Sequence, residues 1–255
     1  MIGCWGSITD RGRLRAVNED ALLADPPLFI VADGMGGHAA GDIASWAAVY
    51  SLTNLVGQGP IAITAMVSAI EAANDTIVRM AAANPSEAGM GTTLSGITSV
   101  MAGGMAHWMV FNIGDSRVYR SVNGELQQLT IDHSEVEEMV LAGMITREQA
   151  RNHPLRNIVT RSLGTEPPPT LDYWVFPPIR SERFLICSDG LTNEVSADTM
   201  QHCLTSFDDP QRAAEELLRL ALEAGGRDNI TVIVVDGASD SEDLVGNTVP
   251  RTRNE

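Results

Sequence analysis

Lysine is absent. All 17 positively charged side chains of the 255-residue chain are arginine, a bias that reads as genome composition rather than mechanism. Cysteine is scarce: Cys4, Cys187 and Cys203 form no CxxC pair and are odd in number. That argues against a disulfide framework or zinc knuckle and for buried thiols in a reducing compartment. The five histidines lie apart, without HExxH or paired spacing, so a zinc site is disfavoured. No apolar run reaches the roughly 18 residues of a membrane span. The opening MIGCWGSITD lacks the basic flank and apolar stretch of a signal peptide. A soluble, cytoplasmic protein is expected. The net charge of −16 argues against a nucleic-acid backbone as partner.

What is present suffices for one sizeable core. The chain is 44% hydrophobic, and no internal repeat divides it. Trp5–Ile8, Ala21–Ala24 and Leu28–Ala32 read as strands, the last a continuous apolar run typical of a covered sheet. A helix is expected over Asp42–Val56. A second, over about 61–83, follows from apolar residues at helical spacing. Strands at Gly91–Met101, Met105–Ile113, Arg117–Ser121 and Glu125–Leu129 are joined by glycine-containing turns. Small helices are expected at Ser134–Ala142 and Thr146–Asn152, then strands at Leu171–Val175 and Phe184–Ser188. Helices follow at Ala197–Thr205 and Pro210–Ala224, the latter capped by Asp209 with Pro210 in its first turn. Ile230–Val235 is the last strand. The polar, aperiodic residues 238–255 read as a disordered tail. This order predicts layered sheets flanked by helix pairs.

Acidic residues recur where apolar strands meet glycine: Asp33-Gly34, Asp115 after Gly114, Asp189-Gly190, and Asp228 after Gly225-Gly226-Arg227, with Glu19-Asp20 at a strand start. Singly, each is best read as an Asx-turn or cap. Five together are different. If they converge, their repulsion must be offset, and hard divalent cations do that through oxygen ligands; an all-oxygen set suits magnesium or manganese. A rival motif overlaps the first pair. Gly34-Met35-Gly36-Gly37-His38-Ala39 fits the loose GxGxxA dinucleotide fingerprint. No acidic residue lies between Asp42 and Glu71, however, where a ribose-binding carboxylate belongs.

With these residues assembled, the chain resembles the metal-dependent protein phosphatases (the PPM family), and among them the compact bacterial members. The matching stretches are Arg11-Gly12 with Arg15-Ala-Val-Asn-Glu19-Asp20, Val31-Ala-Asp33-Gly34-Met-Gly-Gly-His38, and Gly91-Thr92-Thr93. They continue with Asn112-Ile-Gly114-Asp115-Ser116-Arg117, Asp132-His133-Ser134, Ser188-Asp189-Gly190-Leu191, and Gly226-Arg227-Asp228-Asn229-Ile230-Thr231. The resemblance implies an α+β fold over residues 1–237: a four-layer αββα sandwich of two antiparallel sheets flanked by helix pairs, with a flap insert at about 134–178. It implies metal-dependent removal of phosphate from phosphoserine and phosphothreonine on proteins, opposing a bacterial Ser/Thr kinase, by a monomer.

The implied cofactors are two central manganese or magnesium ions, which bridge the attacking hydroxide, and a weaker third. Residue by residue, Asp33 is implied to bridge the central pair and the Gly34 carbonyl to support the second ion. Asp189 and Asp228 would complete the first, and Asp115 with Asp189 would hold the third. Glu19 and Asp20 are implied to be outer-shell groups, Asn229 to support Asp228, and Arg15 to grip the substrate phosphate through a two-pronged fork. Some members carry a histidine after the Asp-Gly pair as the acid for the leaving group. Here Met35 stands there; His38 reads as a residue of local packing or solvation, and an ion-bound water could supply the proton.

Three readings remain open: an active phosphatase, a non-enzymatic binding module on the same fold, and a hydrolase of small phosphates. The presence of every expected ligand weakens the second. Turnover of phosphopeptides against nucleotides separates the first from the third.

Overall fold

The computed structural model describes residues 1–36 and 40–238. His38 and the tail from residue 239, for which packing and disorder are the expectations, lie outside the described residues. One sheet runs β1 (Ile2–Asp10), β11 (Ile230–Gly237), β10 (Arg183–Cys187), β7 (Arg117–Val122), β8 (Glu125–Gln128) in spatial order. The other runs β2 (Asp20–Asp25), β3 (Leu28–Met35), β5 (Leu94–Ala102), β6 (Met105–Ile113), β9 (Asp172–Phe176), with the short β4 (Gly91–Thr92) beside the end of β3. β3 lies between antiparallel neighbours. A dinucleotide-binding βαβ unit needs a parallel one, so that reading of the glycine motif is removed.

Alternation along the strands builds the four layers. In β3, Leu28, Ile30 and Ala32 pack against helices α1 (Gly41–Ser51) and α2 (Ile63–Ala83), while Phe29 and Val31 face the opposite sheet. In β11, Val232 and Val234 pack with α6 (Ala197–Ser206) and α7 (Pro210–Ala224), and Ile233 and Val235 join the inter-sheet core. The helices bury the stripes that their spacing announces. Met66, Ile70, Ala73 and Ile77 form that of α2, and Ala213, Ala214, Leu217, Leu218 and Ala221 that of α7. Asp209 caps α7 as expected, its carboxylate accepting from Gln211 N–H at 2.9 Å.

Three details differ from the sequence expectation. The helix expected to reach Val56 ends at Ser51 and gives way to a 3₁₀ turn over Thr53–Leu55. The Ser51 and Thr53 hydroxyls donate back to the carbonyls of Ala47 and Tyr50, a local bond that competes with helix continuation. The strand expected over Gly91–Met101 is interrupted at Thr93, whose hydroxyl rather than its carbonyl accepts the Asp33 N–H, at 2.8 Å. A four-residue helix, α5 (Asp189–Thr192), follows β10 where none is expected; one turn carries no periodicity to detect.

Between β8 and β9 the chain leaves the sheets for α3 (Glu135–Leu141), capped by Ser134, and α4 (Arg147–Arg151), closed by a Thr146–Gln149 capping box. β9 itself, inside the stretch expected as the flap, is hydrogen-bonded along β6. Asn74 of α2 accepts from Gly164 N–H at 2.8 Å and pins the return of the insert to the helical layer.

Glu182, just before β10, ties the sheets together. It is buried, accepting from Trp108 Nε1 on β6 at 2.5 Å and from Arg120 Nε on β7 at 2.8 Å. Glu182→Ala would strand the Arg120 charge and the Trp108 donor, so a loss of about 3–5 kcal/mol is expected. Urea unfolding with an unchanged m-value measures it. A loss below about 1 kcal/mol would show that the tie carries little stability.

Candidate active site

Asp20 opens β2 directly opposite Asp33, near the end of β3. Asp20 is 8% exposed. Its Oδ2 accepts from the hydroxyls of Ser188 at 2.8 Å and Thr231 at 2.7 Å, which belong to the other sheet's end. Asp20 therefore clamps the two sheets, while its buried Oδ1 has no partner. Asp189 presents the same asymmetry. It begins α5, its Oδ2 accepts from Asn193 Nδ2 at 3.0 Å, and its buried Oδ1 is unpartnered. The Asp33 and Asp189 carboxyls lie close enough for each to alter the other's proton affinity.

Asp115 is brought in by the turn after β6. Ser116 Oγ lies 2.8 Å from Thr93 Oγ1, the same hydroxyl that accepts the Asp33 amide, so one relay joins the two aspartate-bearing segments. Glycine permits the close approach of the remaining loops. A Cβ at Gly190 would stand 1.9 Å from the Asn229 carbonyl oxygen, and one at Gly34 would stand 2.1 Å from that of Gly41 and 2.5 Å from that of Glu19. The Gly34 N–H donates to the Glu19 carbonyl at 3.1 Å, drawing both residues into the same corner.

Arg15 is placed by Asn229, which supports Asp228 as implied, but through its backbone N–H rather than its side chain. Asn229 is buried and directs its side chain at the loop 11–19 rather than at Asp228: Oδ1 accepts from Glu19 N–H at 2.8 Å, and Nδ2 donates to the carbonyls of Arg11 and Val17, both at 2.9 Å. So pinned, the loop lets Arg15 Nη2 reach Asp228 Oδ2 at 2.7 Å, a pair that is 50% and 31% exposed. Asp228 Oδ1 accepts from Asn229 N–H at 2.9 Å.

The electrostatics are dominated by desolvation and like charge. Burial, then the charges of Asp20, Asp189, Asp115 and Asp228, raise the Asp33 carboxyl well above the ordinary range. Burial raises Asp20 to about 7 despite the Thr231 and Ser188 hydrogen bonds. Burial and then Asp189 raise Asp115 to about 8, and burial and then Asp228 raise Asp189 to about 6. Glu19 is raised by burial, against the pull of Arg15. Arg117 relieves little of this, because its guanidinium is forked onto Asp132 at 2.6–2.9 Å.

The carboxylates are neighbours rather than a closed cage. Among the described residues, no three histidine, cysteine, aspartate or glutamate side chains stand close enough to hold a metal ion. The donors nonetheless fit hard divalent cations. They are all oxygen, two buried carboxylate oxygens lack any partner, and the cluster's charge is uncompensated. The sequence reading missed the hydroxyls of Thr93, Ser116, Ser188 and Thr231 and the true targets of Asn229. All of these residues lie within the quoted stretches, but side-chain contacts across 23 to 211 positions leave no local signal.

Comparison with known proteins gives the family of the chain. The family model for protein phosphatase 2C matches residues 13–228. The serine/threonine phosphatase stp of Listeria monocytogenes is 41% identical over 239 residues, covering 89% of this chain and 93% of that protein. The crystal structure of the Mycobacterium tuberculosis serine/threonine phosphatase PstP/Ppp superposes with a TM-score of 0.84 at 38% identity, covering 92% of this chain and 99% of that one. A structure of the PstP catalytic domain in complex with two manganese ions superposes with a TM-score of 0.81 at 38% identity, covering 91% and 96%.

The raised carboxyls have a consequence for stability. They bind protons more tightly folded than unfolded, so in ion-free protein their contribution is full below about pH 4 and is lost as pH rises through 6 to 8. Manganese should offset that loss. The expected result is a larger rise in Tm on adding Mn²⁺ at pH 8 than at pH 5, by calorimetry. Equal shifts at both pH values would contradict it.

Proposed function

The chain belongs to the protein phosphatase 2C family, and from that premise we propose that it hydrolyses phosphoserine and phosphothreonine on proteins with divalent cations held between its two sheets. The observation that carries this reading is the buried, uncompensated aspartate cluster with unpartnered oxygens on Asp20 and Asp189. Bound manganese or magnesium would supply an activated water and neutralise charge growing on the phosphoryl oxygens.

In this reading Asp33 would serve both central ions, Asp189 and Asp228 would help to hold the first, and the Gly34 carbonyl would help to hold the second. Asp115 and Asp189 would hold a weaker third. Glu19 and the free Oδ1 of Asp20 act at one remove, with Asp20 also holding the sheets in place. Arg15 changes partner: the Arg15–Asp228 pair is open to solvent, and exposed pairs of this kind are worth only about 0–1 kcal/mol. Asp228 would then be free to help hold an ion, while the guanidinium fork would bind and orient two oxygens of the phosphate. Met35 has no proton to give, so the leaving alkoxide is not protonated from that position. A Ser/Thr kinase and its substrates in the cytoplasm are the proposed targets, acted on by a monomer, with residues 134 to about 171 as the flap. No helix among the described residues is long and apolar enough to cross a membrane.

The test is turnover of phosphopeptides and nucleotides side by side, with manganese and with chelator. Phosphopeptides should be the better substrates, and chelator or Asp33→Asn should abolish the activity. Preference for nucleotides, or full activity in chelator, would refute the proposal. Arg15→Ala should lower kcat/KM by roughly 10- to 150-fold, since a charge-assisted bond to phosphate contributes about 1.5–3 kcal/mol. Because the substitution also frees Asp228, manganese affinity measured by calorimetry should be unchanged or tighter. Weaker metal binding would contradict the assignment.

A further inference from the structure

The proposed mechanism leaves His133 without a task, yet every polar atom of this buried residue is engaged. Its backbone N–H donates to the Gly114 carbonyl at 2.9 Å, and its own carbonyl accepts from Thr160 N–H at 2.8 Å. On the ring, Nδ1 accepts from the Gly114 N–H at 3.1 Å. That acceptor role puts the proton on Nε2, which donates to Asp172 Oδ2 at 3.1 Å. Arg161 Nη1 stands 3.2 Å from Nε2 and donates to the other Asp172 oxygen at 3.0 Å.

One residue thus holds both backbone groups of Gly114, the residue just before Asp115. The turn needs such a hold. Gly114 has φ +108°, a conformation that L side chains rarely adopt, and a Cβ there would stand 2.5 Å from the Thr93 methyl carbon. With glycine required, the backbone alone does not fix the direction in which Asp115 points; outside bonds must. Asn112 Nδ2 adds one to the Gly114 carbonyl at 3.1 Å, but among the described residues only His133 Nδ1 takes the Gly114 amide.

We infer that His133 is the positioning residue for Asp115, its two ring nitrogens acting separately: Nδ1 fixes the turn that aims the carboxylate, and Nε2 ties that turn to Asp172 on β9, whose other oxygen accepts from Arg161 of the insert. The functional part of this inference rests on the assignment of Asp115 to the weaker ion. It makes the insert a lever on that ion, since a displacement of Arg161 and Asp172 reaches Asp115 through a single imidazole.

A histidine that merely filled space would be replaced equally well by any side chain of similar bulk. Two substitutions separate the jobs instead. The amide of His133→Asn reaches the position of Nδ1 and stops short of Asp172, whereas that of His133→Gln reaches the position of Nε2 and leaves the Gly114 N–H unpaired. Amide exchange at Gly114 in ion-free protein and manganese binding by calorimetry are the readouts.

His133→Asn should keep Gly114 protected and retain the weaker ion. His133→Gln should speed exchange at Gly114 by on the order of 10-fold or more and weaken that ion comparably, leaving the two tighter ions unchanged, as expected for an unsatisfied buried donor. Identical behaviour of the two variants, or protection retained in His133→Gln, would overturn the inference. Because exchange is read without ions, it decides the role of His133 even if the wild type binds only two, a result that would instead remove the assignment of Asp115.

Discussion

Mutual repulsion among buried carboxylates is the constraint around which this fold is arranged. Asp20, Asp33, Asp115 and Asp189 come from strand ends and turns of both sheets, and burial together with like charge raises all four. A protein does not gather such groups for stability; left alone they take up protons or push the sheets apart. The surroundings hold them in place without neutralising them. Ser188 and Thr231 secure one oxygen of Asp20, Asn193 one oxygen of Asp189, and the Thr93–Ser116 pair the segments of Asp33 and Asp115. Each leaves charge for a cation to claim.

The rest of the molecule supplies the rigidity that this arrangement needs. The inter-sheet core of Phe29, Val31, Trp108, Phe184, Ile233 and Val235 sets the spacing of the sheets, and Glu182 bonds one to the other through Trp108 and Arg120. The glycines at 34 and 190 allow loops to meet at distances that no Cβ would tolerate. Asn229 makes the loop 11–19 a defined platform for Arg15. The cationic and anionic halves of the site therefore rest on the same few contacts at the ends of the strands.

Much of this was legible in the residues. The bounds of β6 and α7 follow from apolar periodicity bracketed by glycine turns or by Asp209-Pro210, because those signals are local. The αββα order follows from the succession of elements, and the strand-end aspartates stand beside their glycines in plain view. Other features depend on partners far away in sequence. The break at Thr93 exists because its hydroxyl turns to Asp33, and the clamp on Asp20 depends on Ser188 and Thr231 in the other sheet. The pairing of Arg15 with Asp228 was equally invisible, since both look like independent ligands until loop 11–19 is seen pinned against β11. Helix α5 was too short to announce itself, although it is what points Asp189 into the site.

The central claim is that this repulsion is offset by cations shared among the aspartates, with Arg15 released to substrate. Anomalous diffraction at the manganese edge from crystals soaked in Mn²⁺ and a phosphate analogue tests it most directly. The account predicts two strong peaks flanking the Asp33 carboxylate, one of them also bound by Asp189 and Asp228, with Arg15 turned from Asp228 to the analogue. Manganese bound elsewhere, or an intact Arg15–Asp228 pair beside an Asp33 free of metal, would contradict it.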